Sequence, residues 1–137
     1  MFRTLLLLGV IASAAAQVAV VDANIRDTID RTTLRNLLLG QTSTWSDGSQ
    51  VLLVLASDEA SRAAIKDLTG RDLDRLLRSW KRIVFSGNGA MPVVAASTAE
   101  AAAIASQRAG AIAILGSLPV ANPRLRVAFT FQPGGSP

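Results

Sequence analysis

The residues best suited to chemistry sit in one short run. Ser57-Asp58-Glu59-Ala60-Ser61-Arg62 directly follows the apolar stretch Val51 to Leu55. A strand that turns into a helix there directs unpaired backbone N–H groups and the positive end of the helix dipole at one spot, which favours an anion. Ser57 and Ser61 add hydroxyl donors and Arg62 adds a guanidinium, the groups that a phosphate or another small oxyanion needs. Asp58 completes the candidate set. The same run also reads as a plain helix start. Ser57 and Asp58 are common N-cap residues, and Glu59 lies in the first turn, where the dipole favours acids. Glu59 also places negative charge where an anion would sit.

Two other loops draw notice. Gly40 to Gly48 surrounds Trp45, which reads as a turn whose indole covers the core. Gly87-Asn88-Gly89 is a turn with a lone glycine pair, a weak match to a phosphate loop. The remaining chemistry is sparse. The chain has no His and no Cys, so the usual general base, thiol nucleophile and soft metal ligands are missing. Its two glutamates, Glu59 and Glu100, both fall at helix starts, as do Asp72 and Asp74. No paired carboxylate stands apart from such a structural duty. The expectation is a non-catalytic protein without metal or cofactor.

These residues need elements to hold them. Val18 to Val21 reads as a buried strand, rich in β-branched residues. Asn24 to Asp30 reads as loop. Thr32 or Thr33 caps a helix to about Leu39, whose Leu34, Leu37 and Leu38 form one face. Val51 to Leu55 is apolar without alternation, which fits a strand covered on both sides. Ser57 or Asp58 opens a helix to about Leu68, with Gly70 behind it. A further helix runs from Arg71 to about Arg82, with Leu73, Leu76, Leu77 and Trp80 as its apolar stripe. Ile83 to Phe85 is a short apolar piece and Pro92 to Val94 a strand. Ser97-Thr98-Ala99-Glu100 matches a capping box and opens an Ala-rich helix to about Arg108. Ala111 to Leu115 is another buried strand. Arg124 to Phe131 is a last strand, alternating Leu125, Val127, Phe129 and Phe131. Apolar strands alternating with helices indicate an α/β fold, a three-layer αβα arrangement around a mixed, mostly parallel sheet.

The N-terminus has the order of a secretory signal peptide: Arg3, the apolar stretch Leu5 to Ala12, then the small residues Ala14 to Ala16. Residues 1–16 are therefore expected to be removed by cleavage after Ala16, which places the product in the periplasm or outside the cell. The run Leu5 to Val21, broken by Ser13 and Gln17, falls short of the ~20 apolar residues that span a bilayer core, so no stable membrane anchor is expected after cleavage. Residues 17–131 then form one domain, and 132–137 a Pro/Gly/Ser-rich flexible tail. The formal charge is +4, from twelve Arg and two Lys against ten acids. Most basic residues alternate with acids, as in Arg26-Asp27, Asp30-Arg31 and Asp74-Arg75. Tyr is absent and aromatics make up 4% of the chain, which argues against a nucleic-acid partner.

A family resemblance rests on the order of landmarks. LRNLLLGQTSTWSDG (34–48) precedes an apolar strand and SDEASRAAIKDLTG (57–70). Ser79-Trp80, IVFSGNG (83–89) with Pro92, and AGAIAIL (109–115) follow. Together these resemble the phosphate-binding-protein-like domain of bacterial ABC importers, and more narrowly the short single-lobe exported proteins described as phosphate ABC transporter substrate-binding proteins. The resemblance implies one lobe of a type II periplasmic binding protein. In the phosphate binders, an Arg and an Asp precede a Ser-Gly-Thr-like turn at a helix start. Asp58 stands where that Asp would be, Leu55 and Ala56 where the Arg would be, and Glu59 to Arg62 replaces the turn.

Two functions follow as expectations. The leading one is an exported, non-catalytic solute-binding-like protein, holding phosphate or a related oxyanion through Ser57, Asp58, Ser61 and Arg62 and linked to ABC-type phosphate uptake. The alternative is an exported interaction module that kept the fold, lost the ligand, and meets a protein partner or transporter component.

Overall fold

The computed structural model describes residues 16–132. Most of the expected signal peptide, and the tail beyond Gln132, lie outside the described residues. Nine elements follow one another: β1 (Val18–Asp22), α1 (Arg31–Leu38), β2 (Leu52–Ala56), α2 (Glu59–Thr69), α3 (Leu73–Phe85), β3 (Val93–Ala95), α4 (Thr98–Ser106), β4 (Ala111–Leu115) and β5 (Leu125–Thr130). The strands form one sheet in the order β3-β2-β4-β1-β5. β2 runs parallel to β3 and β4, while β1 runs antiparallel to β4 and β5. The α/β class and the mixed sheet are those expected.

Side-chain alternation in the strands divides the core into two layers. Ala19, Val21, Leu53, Leu55, Ile112 and Ile114 face one side, where the buried leucines of α1, α2 and α3 pack with Trp45 and Trp80. Val18, Val20, Val54, Ala56, Ala113 and Leu115 face the other, against Ala101 and Ala105 of α4. The first layer is thick and rich in Leu and Trp. The second is thin, because small alanines let α4 lie close to the sheet. Burial of both faces is why these strands read as unbroken apolar runs.

Several details differ from the sequence expectation. Asp30, not Thr32 or Thr33, caps α1: its Oδ1 accepts the Thr33 N–H at 2.8 Å. An ionised carboxylate is the better acceptor at the positive end of a helix. Asp72 likewise caps α3 through the Arg75 N–H, so that helix begins at Leu73 rather than Arg71. Ile83 to Phe85 is no separate piece but the last turn of α3, closed by Ser86. The alternation of β5 is also broken. Ala19 pairs with Phe129 but Val20 pairs with Val127, which leaves Ala128 as a bulge. An extra residue in one strand moves all later side chains to the opposite face. Leu125 packs in the α4 layer, whereas Phe129 and Phe131 join the thick core, their rings edge to face at 5.1 Å.

Candidate functional site

The chain from β2 enters α2 and α3 on one face and returns as β3 beside β2. From β3 it crosses by α4 on the other face and comes back as β4 on the far side of β2. The connections thus diverge between β2 and β4. In an open α/β sheet the crevice beyond the strand ends at such a point is where ligands bind. Each of the three parallel strands supplies small polar residues there: Ser57-Asp58 after β2, Ser97-Thr98 after β3, and Gly116-Ser117 after β4.

Asp58 occupies this crevice. It caps α2, and its Oδ2 accepts the Ser61 N–H at 3.2 Å. Its Oδ1 accepts the Ser61 hydroxyl at 2.8 Å and the Thr98 hydroxyl, from the first turn of α4, at 3.2 Å. Thr98 Oγ1 in turn accepts the Gly116 N–H at 3.2 Å and lies 3.3 Å from Ser61 Oγ. Ser61 is wholly buried. The carboxylate therefore ties together the starts of α2 and α4 and the end of β4. Partial burial pushes its pKa up, but the Ser61 hydroxyl and amide and the Thr98 hydroxyl outweigh this and hold it below the usual 3.8. Close packing depends on Gly116. A Cβ there would fall 2.7 Å from Ala60 Cβ, 2.9 Å from Asp58 Oδ2 and 3.0 Å from the Ser61 nitrogen.

Neither of the other two candidates bonds into this cluster. The Arg62 Nε–H donates to the Ser57 carbonyl at 2.8 Å, and Nη1 lies 3.9 Å from Asp74 Oδ1 on α3. The Ser57 N–H donates to the Ala95 carbonyl, which links the ends of β2 and β3. Asp58 and Ser61 are thus brought together, while Arg62 folds back along its own helix start. Thr98 and Gly116 belong to the cluster and were not singled out from sequence. Their signal was small polar or glycine residues following each of three apolar strands. Comparison with known proteins finds no family model that matches the chain and no curated protein that matches it.

The loop around Trp45 is structural. Trp45 is buried, and its indole N–H donates to the Gly110 carbonyl at 2.9 Å. The Ser46 amide and hydroxyl donate to Asp27, which pins the loop to the chain after β1. Trp80 is held in a similar way, its N–H donating to the Leu38 carbonyl at 2.8 Å. Among the described residues no group of three or more acidic residues is placed to hold a metal ion. No helix among them is long and apolar enough to cross a membrane.

An apolar surface borders the crevice on the α4 side. The segment after β4 carries Leu118 and Val120, 63% and 91% exposed, and Val127 of β5 lies beside them. A groove of about 460 Å³ runs between this segment and β5, and a second of similar size runs between it and α4. α4 is the only helix on this face among the described residues, so β5 has no helical cover there.

Proposed function

We propose that the protein is an exported, non-catalytic relative of solute-binding proteins, built like one lobe of the phosphate-binding type, and that it acts through a protein partner. The observation that carries this reading is the Asp58 carboxylate, which takes the place of a ligand anion. Three donors that an oxyanion would use, the Ser61 amide and the Ser61 and Thr98 hydroxyls, are already directed at it. A second anion there would meet an ionised carboxylate at contact distance, a repulsion strengthened by partial burial. A single lobe also offers one wall of a cleft, which is little enclosure for a group as strongly hydrated as phosphate. The exposed strip of Leu118, Val120 and Val127 supports the partner half of the reading.

The oxyanion reading retains one specific support. Asp58 stands where the resembling phosphate binders carry an Asp, and a protonated phosphate can donate a hydrogen bond to such a carboxylate. In that case Ser57, Ser61 and Arg62 would turn toward the ligand. Thermal unfolding of the chain from Gln17 onward, titrated with phosphate, separates the two. The interaction reading predicts no saturable stabilisation, and gel filtration with a co-expressed partner that is lost on Leu118→Asp and Val120→Asp. Stabilisation that grows as RT ln(1 + [L]/Kd) and disappears in Arg62→Ala would establish the oxyanion reading instead.

A further inference from the structure

The outer face of α3 carries a row of positive charge that no other feature of the fold explains. Arg71, just before the helix, is followed by Arg75, Arg78 and Arg82 at spacings of four, three and four residues. At 3.6 residues per turn Arg75, Arg78 and Arg82 lie on one line, opposite the buried Leu73, Leu76 and Trp80, and Arg71, ahead of the N-cap Asp72, reaches toward the helix through its bond to Ser79. Phe85 continues the same line one turn further and is 91% exposed. From Arg75 to Phe85 the row spans about 15 Å, taking 1.5 Å per residue.

Of the seven other arginines among the described residues, three are committed to the fold, while Arg26, Arg35, Arg108 and Arg124 have no side-chain partner. Arg31 pairs with Asp67, Arg62 binds the Ser57 carbonyl, and Arg126 binds the carbonyls of Ile25 and Asp27. The row on α3 stands apart by its alignment along one helix face. Among the described residues none of its four guanidiniums forms an ion pair, and only Arg71 has a side-chain hydrogen bond, donating to Ser79 Oγ at 2.9 Å. The acids nearest in sequence, Asp72 and Asp74, are confined to the first turn. There Asp72 caps the helix and Asp74 faces Arg62. Lys81 adds a further exposed cation beside the row.

We infer that the outer face of α3 docks on an anionic phospholipid surface, with Arg71, Arg75, Arg78 and Arg82 meeting lipid phosphates and Phe85 entering the boundary between headgroups and acyl chains. Charge complementarity selects the partner's sign, and the terminal Phe selects a surface with an apolar layer beneath its charge. A straight row on a convex helix suits a planar surface better than the groove and interleaved aromatics that single-stranded nucleic acid requires. The inference is independent of the reading of the Asp58 crevice. α3 and the apolar grooves lie on opposite faces of the sheet, so a lipid-docked molecule leaves Leu118 and Val120 pointing away from the surface.

The test is co-sedimentation of the chain from Gln17 onward, which contains both core layers complete, with vesicles of phosphatidylglycerol and phosphatidylcholine or of phosphatidylcholine alone. Binding is expected on the anionic vesicles only and should weaken as salt is raised. Each arginine near such a surface contributes about a fivefold change in partition coefficient, so Arg75→Gln, Arg78→Gln and Arg82→Gln combined should lower it about a hundredfold. Phe85→Ala should lower it further, and Arg108→Gln, at the far end of α4, should change it about as much as experimental error. All these side chains are exposed, and circular dichroism checks that the variants remain folded. Equal binding to both vesicle types, no binding, or a loss as large with Arg108→Gln as with the triple change would overturn the inference. So would a phosphate-dependent thermal stabilisation, abolished by the triple change, in a protein that does not sediment with vesicles.

Discussion

Replacing Asp58 distinguishes a carboxylate that organises the crevice from one that merely caps a helix. Asp58→Ala removes the N-cap of α2, which costs about 1 kcal/mol. It also leaves the hydroxyls of Ser61 and Thr98 without their shared acceptor. Ser61 is fully buried, so losing its partner costs about 1–3 kcal/mol, reduced where it can turn to Thr98 Oγ1, 3.3 Å away. The expected destabilisation is about 2–4 kcal/mol. Asp58→Asn keeps one acceptor oxygen but sets an NH2 where the other oxygen accepted a bond, so it loses the charge and one of the accepted bonds, and about 1–2 kcal/mol is expected. Urea unfolding followed by circular dichroism measures both, with an unchanged m-value showing that the same surface is exposed. Thr98→Val completes a double-mutant cycle. The hydrogen bond that joins the starts of α2 and α4 predicts a coupling of at least about 0.5 kcal/mol. Equal losses for Ala and Asn, both under about 1 kcal/mol with no coupling to Thr98, would refute the reasoning and reduce Asp58 to an ordinary cap.

Other consequences follow from the same geometry. Gly116→Ala forces a Cβ against Ala60, Asp58 and the Ser61 backbone, and should destabilise by about 1–3 kcal/mol in the same unfolding assay. Trp45→Phe removes the indole donor from the Gly110 carbonyl, which still accepts the Leu52 N–H at 3.1 Å, so the lost bond should cost about 1 kcal/mol, read from the urea midpoint. Arg62→Ala removes one hydrogen bond to the Ser57 carbonyl and a long, exposed ion pair to Asp74. A loss of about 1 kcal/mol is expected, with no change in the response to phosphate on thermal unfolding.

Local features were the most legible from sequence. Val51 to Leu55 and Ala111 to Leu115 read as buried strands because helices cover both faces of the sheet, and Ser97 capped its helix as the Ser97-to-Glu100 spacing implied. Glu100 even reaches back to the Ala96 N–H. What escaped the sequence was what depends on distant segments. Asp58 reads as a cap, but its bond to Thr98 crosses forty residues of chain and exists only because β3 and its helix return beside β2. The bulge at Ala128 was hidden because apolar residues continue at alternate positions on both sides of it. Leu125 went to the α4 layer and Phe129 and Phe131 to the thick core, while the pattern in the letters did not change. The row of arginines on α3 looked like alternating charge when read along the chain. It becomes one-sided only when the helix sets residues three and four apart in line.

A carbon NMR titration of the Asp58 carboxyl tests the central claim most directly. A carboxylate that stands in for a bound anion, held by the Ser61 and Thr98 donors, has its pKa lowered on folding. Its contribution to stability is then complete above the unfolded value and is lost as the pH falls through the lower, folded one. The account predicts a midpoint below the ordinary 3.8, an acid limb of unfolding that flattens in Asp58→Asn, and no movement of the Asp58 signal when phosphate is added at neutral pH. A midpoint at or above 3.8, or a signal that shifts saturably with phosphate, would contradict it.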